Sequence, residues 1–191
     1  MKALLEVNEP ARDETIILAV RQWVDTLVVG MNLCPFAKRE LVKGRVRFVV
    51  THATTEEQLL TVLKAELEVL NLDTEIETTL LIHPDVLQDF YDFNDFLNFT
   101  DRLLVEMDLE GVYQIASFHP DYQFGGTDPE DAENYTNRSP YPVLHLIREE
   151  SLERAIASYP DVDQIPERNI ALMNELGSEK LQQLLKSFIN S

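Results

Sequence analysis

The segment TTLLIHPDVLQDFYDFNDFLNFTDRLLVEMDLEGVYQIASFHPD, residues 78–121, decides the fold. A β-branched and apolar run ends at His83. An aromatic-rich helix is expected to follow and to stop near Gly111. A second apolar run, 112–119, then ends at His119. Strands at 76–83 and 112–119 separated by a long helix imply a right-handed crossover between parallel strands. Each strand ends in the same tripeptide, His-Pro-Asp. In the first copy, Pro84 suits the first position of a helix, and Asp85 suits its first turn, where a carboxylate favours the dipole. The second copy leads into no helix, so His119 and Asp121 are the better site candidates.

Upstream, residues 13–31 place Ile16, Val20, Trp23, Val24, Leu27 and Met31 at helical spacing, which predicts a well-buried helix ending near Asn32. Pro35 is placed to start a new turn. RVRFVV, 45–50, reads as a strand with Arg45 and Arg47 on one face and Val46, Phe48 and Val50 on the other. The next helix is expected to open on a capping box of Thr54 and Glu57. Downstream, 141–149 reads as a fourth strand. Helices are expected near 150–158, from Pro166, and from Ser178 after Gly177. The fold class is therefore α/β: a single domain over 1–191, in the order α-β-α-β-α-β-loop-β-α-α, with a four-stranded, mainly parallel or mixed sheet and flanking helices. Residues 150–191 form a helical C-terminal appendix packed on the sheet.

The 191 residues carry 34 acids against 16 bases, a net charge of −18. Such a surface repels polyanions, so neither nucleic acid nor an acidic membrane is an expected partner. The N-terminal stretch MKALLEVNEPARDE is too acidic for a signal peptide, and no run approaches the roughly 18 apolar residues of a membrane helix. The single cysteine excludes an internal disulfide. A cytoplasmic protein is the expectation.

If the first three strands are parallel, His52, His83 and His119 reach one sheet edge, the carboxyl edge, where open α/β sheets bind ligands. His145 lies mid-strand and reads as a core histidine. No ligand pair stands at metal-binding spacing, so no metal site is expected. Residues 120–142 form an unusually long connection holding Tyr122, Phe124, Tyr135 and Tyr141. Their aromatic content predicts an ordered lid. Asn137, Arg138 and Tyr141 return to the carboxyl edge if the fourth strand is antiparallel.

Against the acidic background, KRELVKGRVR, 38–47, concentrates five bases where an even spread would put about one. Arginine forks match carboxylate or phosphate, which makes Arg45 and Arg47 anion-binding candidates. Arg138 and Arg148 form a second candidate pair. Cys34 precedes a proline at a predicted helix start, where the thiolate is favoured, with Lys38 and Arg39 close in sequence.

The run CPFAKR, 34–39, resembles the single-cysteine motif of omega-class glutathione transferases; that resemblance covers this run only and implies a nucleophilic thiol. The phrases NLCPFAKREL, ETTLLIHP, DFNDFL, ASFHPDYQF, NYTNRSPYPVLHLIRE and IPERNI together resemble an uncharacterised bacterial family catalogued as domain of unknown function 1415. This resemblance spans nearly the whole chain and implies a bacterial cytosolic protein. It carries no activity and no catalytic residue.

The expected function is binding of a small anionic molecule at the carboxyl edge of the sheet. His119 would move a proton and Asp121 would orient it. Arg138, with Arg45 or Arg47, would hold the anion and Asn137 would give neutral hydrogen bonds; His83, Tyr135, Tyr141 and Arg148 are the further ligand-binding candidates. A thiol-dependent enzyme using Cys34 is the alternative. A protein-interaction domain without a small ligand is a third reading. The sequence names no cofactor and sets no oligomeric state.

Overall fold

The computed structural model describes residues 9–190. The N-terminal stretch judged too acidic for a signal peptide falls partly on residues 1–8, outside those described. Four strands form one sheet: β1 (Val46–Val50), β2 (Thr78–Ile82), β3 (Tyr113–Phe118) and β4 (Val143–Arg148). Their spatial order is β1-β2-β4-β3. β1 and β2 are parallel, and β4 lies antiparallel between β2 and β3. β1, β2 and β3 therefore all point one way, and their carboxyl ends share an edge with the start of β4.

The helices are α1 (Glu9–Trp23), α2 (Ala37–Val42), α3 (Glu56–Leu72), α4 (Phe90–Glu106), α5 (Glu149–Ala157), α6 (Ile165–Leu176) and α7 (Ser178–Ile189). Strand alternation divides the core into two layers. Leu80, Ile82 and Val143 pack with α1, α6 and α7, whose contributions include Val20, Met173 and Leu181. Leu81, Leu144 and Leu146 pack with α3 and α4 against Leu63, Leu67, Phe93 and Phe96. Each leucine sealed in this way contributes about 1.5–3 kcal/mol. The C-terminal helices thus form part of the first layer, with α7 against α1.

Local details differ from the sequence reading. α1 does not run unbroken to Met31: a π-helical turn, Val24–Val29, continues it, and Asn32 ends it at φ 55°. The side-chain cap of α3 is Thr55, which accepts from the Gln58 backbone, while the Gln58 side chain accepts from the Thr54 backbone. Thr-x-x-Gln replaces the expected Thr54–Glu57 pair one residue later. α4 begins at Phe90, with Asp89 accepting from the backbone of Tyr91 and Asp92. Pro84 and Asp85 are consequently not its first turn. They belong to a turn in which Leu87 takes φ 57°.

Candidate functional site

The three strand-end histidines do reach one edge, and the two His-Pro-Asp copies meet there. His83 is sealed in the core. Its Nδ1–H donates to the Val86 carbonyl at 3.0 Å, and its Nε2 has no partner. His119, equally buried, donates Nε2–H to the Leu87 carbonyl at 3.1 Å. Its Nδ1 accepts from the Asp121 backbone at 3.1 Å. The Phe93 ring packs on both imidazoles, with centroids 5.6 Å from His83 and 5.1 Å from His119. Burial pushes His83 down to about 4 and lowers His119 too. His119 has one nitrogen donating and one accepting, the pattern of a neutral ring with no nitrogen left for a substrate. The acid–base role expected of it is corrected on that ground. Asp121 meets it through its amide, not its carboxylate.

The loop 120–142 is ordered around Asn134, which is fully buried. Its side-chain oxygen accepts from the Phe124 amide and the Thr127 hydroxyl, and its nitrogen donates to Asp128. Arg138 donates to the carbonyls of Tyr122 and Pro129 and lies over the Tyr135 ring. Asn137 donates to Ser117 and its own carbonyl receives the His119 amide. Beside this loop is a cavity of about 630 Å³. Its wall carries Asp89, Asp121, Glu130 and Glu179 against Arg138 alone. An anion meets four carboxylates there, and the one guanidinium already staples the loop.

A third group at this edge escaped the sequence reading. Arg12 pairs with Asp85, and its guanidinium holds the Asp85 carboxyl below the usual range. His52 lies between Asp85 at 3.5 Å and Asp13 at 3.0 Å, the latter at an angle unsuited to a hydrogen bond. Tyr141 lies close to Arg12, and burial raises its hydroxyl. This group ties α1 to the ends of β1 and β2. Only folding places residues from four separate segments together, so no local motif announced it.

The other predicted arginines lie at the opposite edge. Arg45 pairs with Glu40 and Glu77. Arg47 makes a two-pronged bond to Glu66, at 2.8 and 3.1 Å, and that contact raises its guanidinium. Arg148 donates to the carbonyls of Leu70, Asp73 and Ile76 and to the Tyr113 hydroxyl, closing the end of α3. None of the three shares a pocket with His119, because strand length separates the two edges. The single anion site expected from the sequence is therefore corrected to two separate groups.

Over the α1 face of the sheet, where β1 and β2 begin, lies a cavity of about 610 Å³. Its body is apolar, with Trp23, Val28, Leu80, Phe118, Ile147 and Leu152. α2 and α5, neither of which seals any side chain, form its roof. Phe36 and Tyr159 join them edge to face, with centroids 5.5 Å apart. Four arginines stand on its wall, Arg39, Arg45, Arg148 and Arg154, against Glu40 and Glu77. Cys34 also lines it. That cysteine follows the π-helical turn, and its carbonyl accepts from the Ala37 amide. It precedes a six-residue helix rather than opening one.

His145 forms part of the floor. The Thr78 hydroxyl is bonded both to the Leu146 carbonyl, at 2.5 Å, and to His145 Nε2, at 2.7 Å. A carbonyl only accepts, so the single hydroxyl proton goes to Leu146, and Thr78 must accept from Nε2–H. The His145 Nδ1 is thereby left as an acceptor. It has no hydrogen bond among the described residues, and it is not sealed away as the Nε2 of His83 is. Burial holds the ring down to about 4, so it is neutral at pH 7.

No helix among the described residues is long and apolar enough to cross a membrane. Neither a curated protein nor a solved structure matches the chain. A family model matches residues 15–183, and the chain accordingly belongs to the family described as protein of unknown function (DUF1415).

Proposed function

We propose that the chain binds a small acid with an apolar body in the cavity beneath α2 and α5. The observation that carries this reading is the charge of the wall. On a chain of net charge −18, four arginines face two glutamates around an apolar hollow. Small-molecule sites commonly combine an apolar body with a few polar groups that set orientation. Arg39 and Arg154 pair with Glu40 and Glu150, but with side chains 74% and 65% exposed they stand at the solvent side, where such pairs are weak and a carboxylate or phosphate keeps part of its hydration. A bacterial cytoplasmic setting, suggested by the family resemblance and the single cysteine, suits a small metabolite.

The test compares acids with their amides. Octanoate and cinnamate are titrated by thermal shift and calorimetry beside octanamide and cinnamamide. A ligand held at about one hundred times its dissociation constant adds about 2.7 kcal/mol to stability. The acids should raise the melting temperature more than the amides, and the double variant R39Q/R154Q should erase the difference. Equal shifts for acids and amides, or no shift with either, would overturn the reading.

Thiol chemistry is a second reading, favoured by the presence of Cys34 in the lining of the same cavity. It requires Cys34 to react with iodoacetamide near pH 6 faster than a free thiol. A rate equal to that of free cysteine would sink it.

A further inference from the structure

The floor of the cavity offers an acceptor, and this sorts ligands more finely than the arginine rim does. The Thr78 hydroxyl is committed to Leu146, so it fixes His145 as a ring with Nε2–H donated and Nδ1 open. Across the sheet, His145 pairs with Leu80 on β2 and Ala116 on β3. Neither bears a polar side chain, and the β3 ring that packs on the imidazole, Phe118 with centroids 6.2 Å apart, is apolar. Glu77 lines the same cavity; one carboxylate oxygen is paired with Arg45, and the other, Oε1, has no partner. Glu77 Oε1 is sealed from the cavity, so His145 Nδ1 is the acceptor a ligand can reach, while the cations with exposed side chains are at the rim. A hydrogen bond from a ligand to that nitrogen favours the ligand by up to about tenfold.

We infer that the ligand carries a hydrogen-bond donor, a hydroxyl or N–H, at the end of its apolar body remote from the acid, and that His145 Nδ1 receives it. This rests on the cavity reading above and narrows its ligand class to hydroxy or amino-substituted acids, with the donor and the anion at opposite ends. His145 is a specificity-determining residue in this scheme, and Thr78 is a positioning residue that sets which ring nitrogen faces the ligand. No proton transfer is required: the neutral ring accepts a hydrogen bond and remains neutral.

Matched pairs test it. Affinities are measured by calorimetry at pH 7 for para-hydroxycinnamate against cinnamate and for omega-hydroxyoctanoate against octanoate. At least one hydroxylated member should bind about tenfold more tightly than its parent. In His145→Phe the ratio of the two affinities should fall to about one. Thr78→Val, which keeps the ring but frees its tautomer, should reduce the same ratio. Should His145→Phe fail to fold, the Thr78→Val ratio decides alone. If parents and hydroxylated acids bind the wild-type chain equally, this inference is overturned and the cavity reading stands. If neither member of either pair binds, both fall. A hydroxyl preference that survives in both variants overturns the role of His145 alone.

Discussion

His83 and His119 donate to consecutive carbonyls, those of Val86 and Leu87, and both imidazoles pack on the Phe93 ring. The turn between β2 and α4, with Leu87 in the left-handed region, is held by these two bonds. Non-glycine residues there cost about 1–2 kcal/mol, which the paired contacts offset. The repeated tripeptide is thus one clamp made in two halves.

This clamp has a pH signature. Unfolded histidines titrate near about 6.5. In the folded chain, burial holds His83 and His145 at about 4 and lowers His119. Between those limits the unfolded chain binds more protons, so this stability is fully present above about pH 6.5 and is lost as the pH falls. His83, sealed in the core and held at about 4, contributes on the order of 3 kcal/mol across that window. Urea midpoints should fall steadily from pH 7 to pH 5, and His83→Phe should flatten the fall. A limb of unchanged slope in that variant would assign the loss to other groups.

Arg148 serves stability. It satisfies carbonyls at the end of α3 and in the turn before β2, with no carboxylate in its circle of hydrogen bonds. Arg148→Ala should cost about 2–3 kcal/mol in urea unfolding, since several acceptors, most of them partly buried, lose a charged donor. Arg148→Lys should recover less than half, because an ammonium lacks the planar fork. Full recovery by lysine would show that charge alone suffices.

The roof of the cavity should control access to Cys34. Phe36 and Tyr159 are its one aromatic link between the approach to α2 and the end of α5. Tyr159→Ala should speed alkylation of Cys34 by a bulky maleimide severalfold, followed by intact mass, with little effect on urea stability. An unchanged rate would mean that the cysteine is reached by another route.

Much of the architecture was legible because periodicity reports which face of a helix or strand is buried. The alternation of Val46, Phe48 and Val50 against Arg47 appears as read, as do the helices flanking Gly177. What escaped depends on partners remote in sequence. Arg45 and Arg47 read as free anion-binding residues because Glu77 and Glu66, which pair with them, lie far off in sequence. His145 looked like an ordinary core residue. Its exposure to a cavity depends on β4 lying between β2 and β3, and spacing along the chain says nothing about strand order. The start of α4 was misplaced because Pro84 and Asp85 carry valid helix-start chemistry, and Asp89, with better-placed oxygens, prevails.

The strand order also sets a timetable. β2 and β3 both hydrogen-bond to β4, the last strand to leave the ribosome. A nascent chain that stops short of residue 148 has a β3 without its neighbour and a β2 bonded on one side only. Pairings across so many residues pay their loop-closure entropy before any contact rewards it. Two bare apolar strand edges therefore await their common partner during synthesis, and that interval is when the chain most needs protection from its neighbours.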